Sequence, residues 1–252
     1  MLLLVDEEDF WYLPKIIQAK QYNIGSWAAP VTNRITHHTA PGYMPRDIPV
    51  IYHDDYLVAI EKPSGLLSVK GIGIDKIDCV AVRVSSAIEG ARIVHRLDRD
   101  TSGIMVMARD AETHRQLSRQ FQDREVLKQY VAIVGGILKA DAGVIDIPIR
   151  KDIENPPRQC VDLERGKSSL TNWRVMQRGD NQTRLKLIPK TGRSHQLRIH
   201  LRELGHPILG DDLYASPNYL AMSSRLKLHA TLLEITHPAT KNRLTFKSEC
   251  PF

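Results

Sequence analysis

The sequence has few of the features that mark disulfide-stabilised, zinc-binding or membrane-embedded proteins. Its three cysteines, Cys79, Cys160 and Cys250, lie far apart and form no CxxC pair, so we expect neither a disulfide framework nor a zinc site. No apolar run approaches the length of a transmembrane helix, and the apolar residues 1–5 are followed by acidic ones, so we expect no membrane span and no signal peptide. A Gly-rich dinucleotide motif is missing and the histidines lack ligand spacing, so we expect no metal and no cofactor. These features fit a cytoplasmic protein.

Positive charge is concentrated in one part of the chain. The 35 Lys and Arg residues outnumber the 29 Asp and Glu residues, which gives a net charge of +6. Within residues 165–202, Asp180 is the single acidic residue, and the basic ones are Arg165, Lys167, Arg174, Arg178, Arg184, Lys186, Lys190, Arg193, Arg198 and Arg202. Such a surplus creates a field that attracts phosphate groups, although a solvated face would have the same composition. We favour a nucleic-acid partner.

Length and composition indicate one main domain. A chain of 252 residues with 42% hydrophobic residues can bury a substantial core. Residues 1–46 differ from the rest, because they carry Trp11, Trp27 and several prolines and show little periodicity. We predict an N-terminal extension over residues 1–46 and a single domain over residues 47–252.

Helical and strand-like patterns are interspersed along the predicted domain without a regular βαβ repeat. Strand patterns cover residues 56–60, 102–108 and 130–134, and Leu185 and Leu187 alternate with polar residues before Pro189. Helical spacing covers residues 77–88, residues 110–125 with Asp110 as N-cap, and residues 197–204 with Ser194 as a possible cap. The pattern predicts an α+β fold with flanking helices around a large mixed, mostly antiparallel β-sheet.

The most informative stretch is residues 95–104, His-Arg-Leu-Asp-Arg-Asp-Thr-Ser-Gly-Ile. Asp98 lies among arginines in a Gly-ended turn that leads into an apolar run, and a turn anchored to a buried strand holds a side chain rigidly. Asp98 is therefore a candidate chemical group. A turn carboxylate that simply pairs with Arg96 or Arg99 would have the same local sequence. A calcium loop is excluded, because its twelfth position counted from Asp98 is Arg109 rather than a carboxylate.

Four motifs in order resemble those of the RluA family of RNA pseudouridine synthases. They are residues 58–68 (Val-Ala-Ile-Glu-Lys-Pro-Ser-Gly-Leu-Leu-Ser), the stretch at 95–104, residues 128–132 (Lys-Gln-Tyr-Val-Ala), and residues 192–198 (Gly-Arg-Ser-His-Gln-Leu-Arg) with 205–211 after them. Together they span most of the chain. Within the family, the Gly-Arg-Ser-His form and the Asp-Leu-Tyr-Ala-Ser-Pro stretch at 212–217 look most like the branch of large-subunit pseudouridine synthase A.

The resemblance implies a pseudouridine synthase-like catalytic domain and an isomerase that needs no cofactor. Pseudouridine formation breaks the N1–C1′ bond of a uridine, turns the base over and rejoins it through C5. The branch implies structured loops of large-subunit rRNA and the tRNA anticodon stem-loop as substrates, whereas other branches act on rRNA alone or tRNA alone. It implies no obligate protein partner, and hence a monomer. The S4-like RNA-binding domain of many members would need more residues than 1–46 provide, so we expect none there.

The resemblance also implies which residues form the site. Asp98 is the catalytic carboxylate, and whether it attacks C1′, attacks the base or removes a ribose proton stays open. Arg193 matches the arginine that pairs with this carboxylate, and such a cation would keep it ionised and fix its direction; a phosphate contact is the alternative. Tyr130 matches the tyrosine that stacks on the target base, with ordinary core packing as the alternative. Leu197 matches an apolar residue of the pocket floor, or is simply helix core.

The remaining candidates are expected to contact RNA. Arg96 matches an arginine that fills the space left by a flipped-out base, which an arginine suits because it stacks and donates hydrogen bonds at once. His195 and Arg198 are predicted to be phosphate or pocket-rim contacts. Lys62 is predicted to reach the cleft from the first motif.

Two other classes of function were weighed. A catalytically silent RNA-binding module with the same fold would keep the basic surface, but the joint presence of Asp98, Tyr130 and Arg193 argues against it. A glycoside hydrolase normally uses two carboxylates, and the motif around Arg193 supplies none.

Overall fold

Strands outnumber helices in the part of the chain that the structure, a computed structural model, describes: residues 48–71, 73 and 76–252. The strands are β1 (Val50–His53), β2 (Leu57–Lys62), β3 (Arg92–Ile93), β4 (Ser102–Ala108), β5 (Leu127–Gly135), β6 (Ala142–Asp146), β7 (Ile149–Lys151), β8 (Gln159–Val161), β9 (Leu170–Arg178), β10 (Gln182–Pro189), β11 (Leu228–Thr236) and β12 (Arg243–Lys247). The helices are α1 (Val80–Ala87), α2 (Ala111–Gln122), α3 (Gln196–Glu203) and α4 (Pro217–Ala221).

One large sheet organises the domain. Its strand order is β1-β2-β4-β11-β5-β10-β9-β6, with β12 paired to β11 and β3 paired to β4, while β7 and β8 form a separate hairpin. Within the described residues, β4 and β11 pair in parallel and the other strand pairs are antiparallel. The predicted α+β fold with a mixed, mostly antiparallel sheet is therefore confirmed.

The junction between β4 and β11 is unusually close, and it depends on a glycine. Gly103 has a positive φ of 114°, a region that favours glycine, and it pairs with Ala230 across the parallel junction. A Cβ atom added at Gly103 would lie 2.3 Å from the carbonyl oxygen of Ala230. The Gly-ended turn of the second motif is thus joined directly to the centre of the sheet.

Helices cover both faces of the sheet. On one face, α1 packs over residues that include Ile60 and Met105, and α3 packs over Leu185 and Leu187 of β10. On the other face, α2 buries Leu117 against a cluster formed by the alternate residues of β2 and β4. Tyr130 contacts both clusters of the α1–α3 face, so it stands where those two cores meet.

Most of the predicted elements are present, with differences at their ends. Asp110 caps α2 as predicted and accepts a hydrogen bond from the N–H of Thr113 at 2.8 Å, although the helix ends at Gln122 rather than near residue 125. Helix α1 is shorter than predicted, because Ile77 lies outside it and is exposed. The prediction that Ser194 caps α3 is wrong: His195 occupies that position in a left-handed conformation, with φ of 54°.

The predicted extension over residues 1–46 lies outside the described residues, so the boundary at residue 47 remains a prediction. Among the described residues, no helix is both long and apolar enough to cross a membrane.

Candidate active site

The turn that carries Asp98 is held at both of its ends. Before Asp98, the buried Leu97 donates its N–H to the hydroxyl oxygen of Ser68 at 3.1 Å, and that hydroxyl donates to the Leu97 carbonyl at 2.7 Å. After Asp98, the buried Thr101 donates its N–H to the Asp98 carbonyl at 3.2 Å. Because the backbone is anchored on both sides, the turn fixes the position from which the half-buried Asp98 side chain enters the cleft.

Lys62 of the first motif is hydrogen-bonded to the turn that carries Asp98. Its ammonium group is fully buried and donates to the carbonyl oxygens of Pro63, Leu66 and Arg99, each at 2.7 Å. Burial lowers the pKa of Lys62 to about 7. The prediction that Lys62 contacts RNA is therefore wrong in its geometry, because its donors are occupied by backbone carbonyls and face away from solvent. Its role is to join the first two motifs.

An open cleft on the α1–α3 face brings most of the predicted site together. Its walls come from the turn between β3 and β4, from β5, and from the start of α3. The predicted site residues that line it are Arg96, Asp98, Tyr130, Arg193, His195, Leu197 and Arg198. Residues far apart in sequence thus converge on one cleft that also contains the candidate carboxylate.

Tyr130 forms the wall of the cleft on β5. It pairs with Ala230 of β11 on one side and with Leu187 of β10 on the other, so its backbone is fixed in the centre of the sheet. Burial, together with the negative charge of Asp98, raises the pKa of the Tyr130 hydroxyl, which therefore stays protonated near neutral pH. Leu197 is buried in the core and also lines the cleft, which is compatible with both a pocket-floor residue and a helix-core residue.

Arg193 lies on the cleft but does not pair with Asp98. Its guanidinium Nε donates to the Ser168 carbonyl at 3.3 Å, and its side chain is exposed. Within residues 48–71, 73 and 76–252, no ion pair involves Asp98, so the expected Asp98–Arg193 salt bridge is not formed in this structure. The simpler alternative, a turn ion pair with Arg99, is not formed either, because Arg99 pairs with Asp100 at 2.9 Å.

The loop before α3 is held by a buried amide. The Gln196 side-chain oxygen accepts hydrogen bonds from the Thr191 hydroxyl at 2.7 Å and from the Arg193 N–H at 3.0 Å. Its amide nitrogen donates to the Thr171 hydroxyl at 3.0 Å and to the Leu170 carbonyl at 3.2 Å. This network fixes the backbone from which Arg193 and His195 enter the cleft.

The Arg198 guanidinium is bonded to Asp211 and is not free to contact a ligand. Arg198 and Asp211 are both buried, and two guanidinium nitrogens donate to the two Asp211 oxygens at 2.8 and 2.6 Å. Asp212 accepts a further bond at 2.9 Å. Burial alone would lower the pKa of Arg198, but the Asp211 carboxylate outweighs it and the pKa rises. Arg198 lines the cleft, as expected of a pocket residue, but its charge is neutralised and it is not a phosphate contact.

His195 and Arg96 complete the cleft. The His195 ring places Nδ1 2.7 Å from the hydroxyl of the buried Tyr214. Burial lowers the pKa of His195, while the nearby charge of Asp98 acts in the opposite direction. Arg96 is exposed, lies two residues before Asp98 and lines the same cleft. His95, the first residue of the motif, turns away: its ring stacks on Phe121 at 4.4 Å.

Some cations of the basic segment at residues 165–202 have partners within the protein. Arg178 pairs with Asp141, and Arg198 pairs with Asp211. Arg184 lies over the ring of Phe252, with the guanidinium carbon 5.9 Å from the ring centre. The exposed cations of the segment include Arg165, Lys167, Arg174, Lys190 and Arg193.

Sequence reasoning missed the polar residues that support the cleft, namely Ser68, Gln196, Asp211 and Tyr214. Each lies inside or directly beside a motif that the sequence analysis singled out. These residues are recognised in the structure because buried polar groups need hydrogen-bond partners. Their partners come from distant parts of the chain, so the sequence alone does not reveal them. Among the described residues, no group of three or more His, Cys, Asp or Glu side chains is arranged to hold a metal ion.

Comparisons with known proteins identify the family of the chain. The family model described as RNA pseudouridylate synthase matches residues 56–203. The dual-specificity RNA pseudouridine synthase RluA of Yersinia pestis is 48% identical over 204 residues, which are 81% of this chain and 99% of that protein. The protein of the same name from Escherichia coli K12 is also 48% identical over 204 residues, covering 81% of this chain and 93% of that protein.

Two solved structures share the architecture. Human RNA Pseudouridylate Synthase Domain Containing 1 superposes with a TM-score of 0.71 at 27% identity, covering 85% of this chain and 87% of that one. Human RNA Pseudouridylate Synthase Domain Containing 4 gives a TM-score of 0.65 at 28% identity, covering 81% of this chain and 88% of that one. With the motifs, the cleft and the family match in agreement, the chain belongs to the RNA pseudouridylate synthase family and is an RNA pseudouridine synthase, an isomerase.

Proposed function

We propose that Asp98 is the catalytic carboxylate and that the protein converts uridine to pseudouridine in structured loops of large-subunit rRNA and in the tRNA anticodon stem-loop. The observation that carries the assignment is the meeting of Asp98 and Tyr130 on one open cleft. The two groups are close enough for the charge of Asp98 to raise the pKa of the Tyr130 hydroxyl.

The turn presents Asp98 as a preorganised nucleophile or base. Its backbone is anchored through Leu97 and Thr101, and within the described residues its carboxylate makes no ion pair. An anchored carboxylate without an ion-pair partner is available to the ribose or base of a nucleoside that enters the cleft. The protein needs little reorganisation before this carboxylate can react. Which atom of the nucleoside it acts on follows from the pose of the RNA.

The other cleft residues have separate roles in the proposal. Tyr130 stacks on the flipped base, since an aromatic face holds a uracil while it turns without requiring a fixed hydrogen-bond register. Its hydroxyl lies beside the base, where it can assist proton removal at C5. Arg193 moves from the Ser168 carbonyl to Asp98 or to the substrate when RNA binds, because hydrogen bonds in an active site often tighten only in the complex. Leu197 forms the floor of the cleft.

Arg96 takes the space that the flipped nucleotide leaves. Removing a base from its stack costs a few kcal/mol, and this cost is least when the base lies in a loop. The exposed guanidinium of Arg96 at the cleft rim is placed to stack in the vacated position and to hydrogen-bond to neighbouring bases. The same reasoning favours loop uridines as targets over uridines in regular helices.

The substrate assignment rests on the relatives and on the branch that the motifs resemble. The Yersinia and Escherichia relatives are named dual-specificity enzymes, and the Gly-Arg-Ser-His form is shared with the pseudouridine synthase A branch. We extend to this chain action on both rRNA and tRNA, a cytoplasmic location and a monomeric state. A catalytic domain over residues 47–252 with an extension over residues 1–46 belongs to the same proposal.

Tritium release tests the proposal. Large-subunit rRNA and tRNA labelled with tritium at C5 of uridine are incubated with the wild-type protein, with Asp98→Asn and with Asp55→Asn, a control carboxylate exposed in the loop between β1 and β2. We expect release from both RNAs with wild type and with Asp55→Asn. Asp98→Asn should lose several orders of magnitude of activity while RNA binding is kept.

Each outcome decides one part of the proposal. Activity that survives Asp98→Asn would remove Asp98 from the chemistry. Release from one RNA class alone would reject dual specificity. A wild-type protein that binds both RNAs without releasing tritium from either would favour the silent binding module.

A further inference from the structure

The hydroxyl of Tyr214 has two neighbours, and together they determine where its proton lies. The Gln159 backbone N–H donates to the Tyr214 oxygen at 2.8 Å, and the His195 Nδ1 lies 2.7 Å from the same oxygen. A backbone N–H is only a donor, so the Tyr214 proton is directed to the His195 Nδ1. When His195 is neutral, its own proton is then on Nε2.

The two sides of the His195 ring face different surroundings. Tyr214, on the Nδ1 side, is buried and is not part of the cleft wall, whereas His195 itself lines the cleft. His195 also adopts a left-handed backbone conformation with φ of 54°, which a histidine seldom takes. Its Nδ1 is occupied by Tyr214, and within the described residues no hydrogen bond engages Nε2, so the nitrogen that carries the proton is the one left for a ligand.

Tyr214 is held firmly enough to act as a fixed donor. The guanidinium carbons of Arg158, Arg198 and Arg202 lie over its ring, at 5.4, 5.2 and 5.4 Å from the ring centre. Its backbone N–H donates to the Asp211 carboxylate at 3.0 Å, which ties it to the buried ion pair. Burial raises the pKa of its hydroxyl, so the group remains a donor.

Burial leaves the His195 ring neutral near physiological pH. The groups that face it are Asp98 and Asp211, which favour the charged ring, and Arg198 and Arg96, which oppose it. The effect of burial is larger than the effect of these charges, and it lowers the pKa of His195 below its ordinary value. A neutral N–H donor suits an uncharged acceptor such as a carbonyl, whereas a phosphate would favour the cationic ring.

We propose that His195 contacts the substrate, donating a hydrogen bond from Nε2–H to a carbonyl oxygen of the flipped uracil, and that Tyr214 is a positioning residue that fixes this tautomer. The inference rests on the proposed function, because it needs a uracil in the cleft. A base freed from its ribose must be held until it rejoins, and a directed donor restrains it where stacking alone leaves rotation free.

Kinetics test the role of the pair. Tyr214→Phe removes the hydroxyl and keeps the ring under the three guanidiniums, and we expect kcat to fall about tenfold with KM little changed. His195→Leu should lose at least as much, and His195→Gln should recover part of the loss, because its amide supplies an N–H without help from Tyr214. Adding Tyr214→Phe to His195→Gln should then cost little further activity.

Tyr52→Phe is the matched control. It removes a hydroxyl that bonds to Asp54 at 2.6 Å, away from the cleft, so we expect lower stability with unchanged kcat. Additive losses from His195→Gln and Tyr214→Phe would overturn the positioning role. A weaker salt dependence of RNA binding in His195→Leu would make His195 a phosphate contact instead.

A spectroscopic measurement on the protein alone separates this inference from the proposed function. Nitrogen-15 NMR of histidine-labelled protein should show the His195 proton on Nε2, and the balance should shift toward the Nδ1 tautomer in Tyr214→Phe. A wild-type protein with the Nδ1 tautomer would reject the inference even if it is fully active. An inactive wild-type protein with the Nε2 tautomer would reject the proposed function and the substrate contact, and would keep only the Tyr214–His195 bond.

Discussion

The ammonium group of Lys62 donates a hydrogen bond to the carbonyl oxygen of Arg99 at 2.7 Å, although the two residues are 37 positions apart. Arg99 directly follows Asp98, so this buried contact reaches the backbone of the candidate nucleophile. Three carbonyl oxygens match the three N–H donors of a charged ammonium, while burial opposes the charge. The position of Asp98 is therefore coupled to the protonation of a residue outside the cleft.

Lys62→Met should change how stability depends on pH. Because the pKa of Lys62 is lowered from 10.5 to about 7 in the folded protein, the folded state holds this proton more weakly than the unfolded state does. The free energy of unfolding of the wild type should therefore rise between about pH 7 and the unfolded value of 10.5, by at most about 1.4 kcal/mol per pH unit from this residue. Urea unfolding at a series of pH values, compared with Lys62→Met, isolates the contribution. Parallel pH profiles for the two proteins would contradict it.

Asp211→Asn should strongly destabilise the protein. The change removes the buried carboxylate that pairs with the Arg198 guanidinium and leaves only the half-exposed Asp212, and breaking such a buried pair costs about 3–5 kcal/mol. Replacing both residues, with Arg198→Met and Asp211→Leu, should recover part of the loss, because no uncompensated charge remains. Asp141→Asn, at the exposed pair with Arg178, is the control and should change the unfolding free energy by less than about 1 kcal/mol. Equal effects of the two Asp→Asn changes in urea unfolding would reject the role of the buried pair.

Arg193→Ala should abolish turnover while RNA affinity stays similar. The proposal brings this exposed guanidinium to Asp98 or the substrate during the reaction, so its loss should appear in kcat rather than in binding. Arg193→Lys keeps the charge without the planar fork and should restore little. Arg165→Ala, another exposed cation of the basic segment, should affect binding alone and only at moderate salt. A loss of binding by Arg193→Ala that disappears at low salt would identify Arg193 as a phosphate contact.

Tyr130→Phe and Tyr130→Leu should separate the ring from the hydroxyl. Phe keeps the aromatic face against the base, so binding should persist and tritium release at C5 should fall if the hydroxyl assists that step. Leu should also lose stacking, worth about 1–3 kcal/mol per base. Filter binding and tritium release, measured on the same RNA, distinguish these losses. Full activity of Tyr130→Leu would leave core packing as the sole role of this residue.

Local sequence patterns predicted much of the fold. Asp110 before an amphipathic run predicted the start of α2, and the apolar run after Gly103 predicted the buried β4, because capping and periodicity depend on neighbours a few residues away. The predicted Ser194 cap was wrong: His195 takes the cap position in a left-handed conformation, and the neighbouring Gln196 side chain is bonded to Leu170 and Thr171 of β9. No local pattern indicates such a contact.

The amino-acid sequence by itself determined the family, the mixed sheet and many of the residues that line the cleft. Each motif is a contiguous stretch of the chain, so its residues and their chemistry can be identified directly from the sequence. Only the tertiary structure decided which charges meet: Lys62 and Arg198 are buried on internal partners, while Arg193 is directed at Ser168 instead of Asp98. The physical reason is that the state of a charged side chain depends on burial and on acceptors from distant strands, and both are created when the sheet brings those strands together.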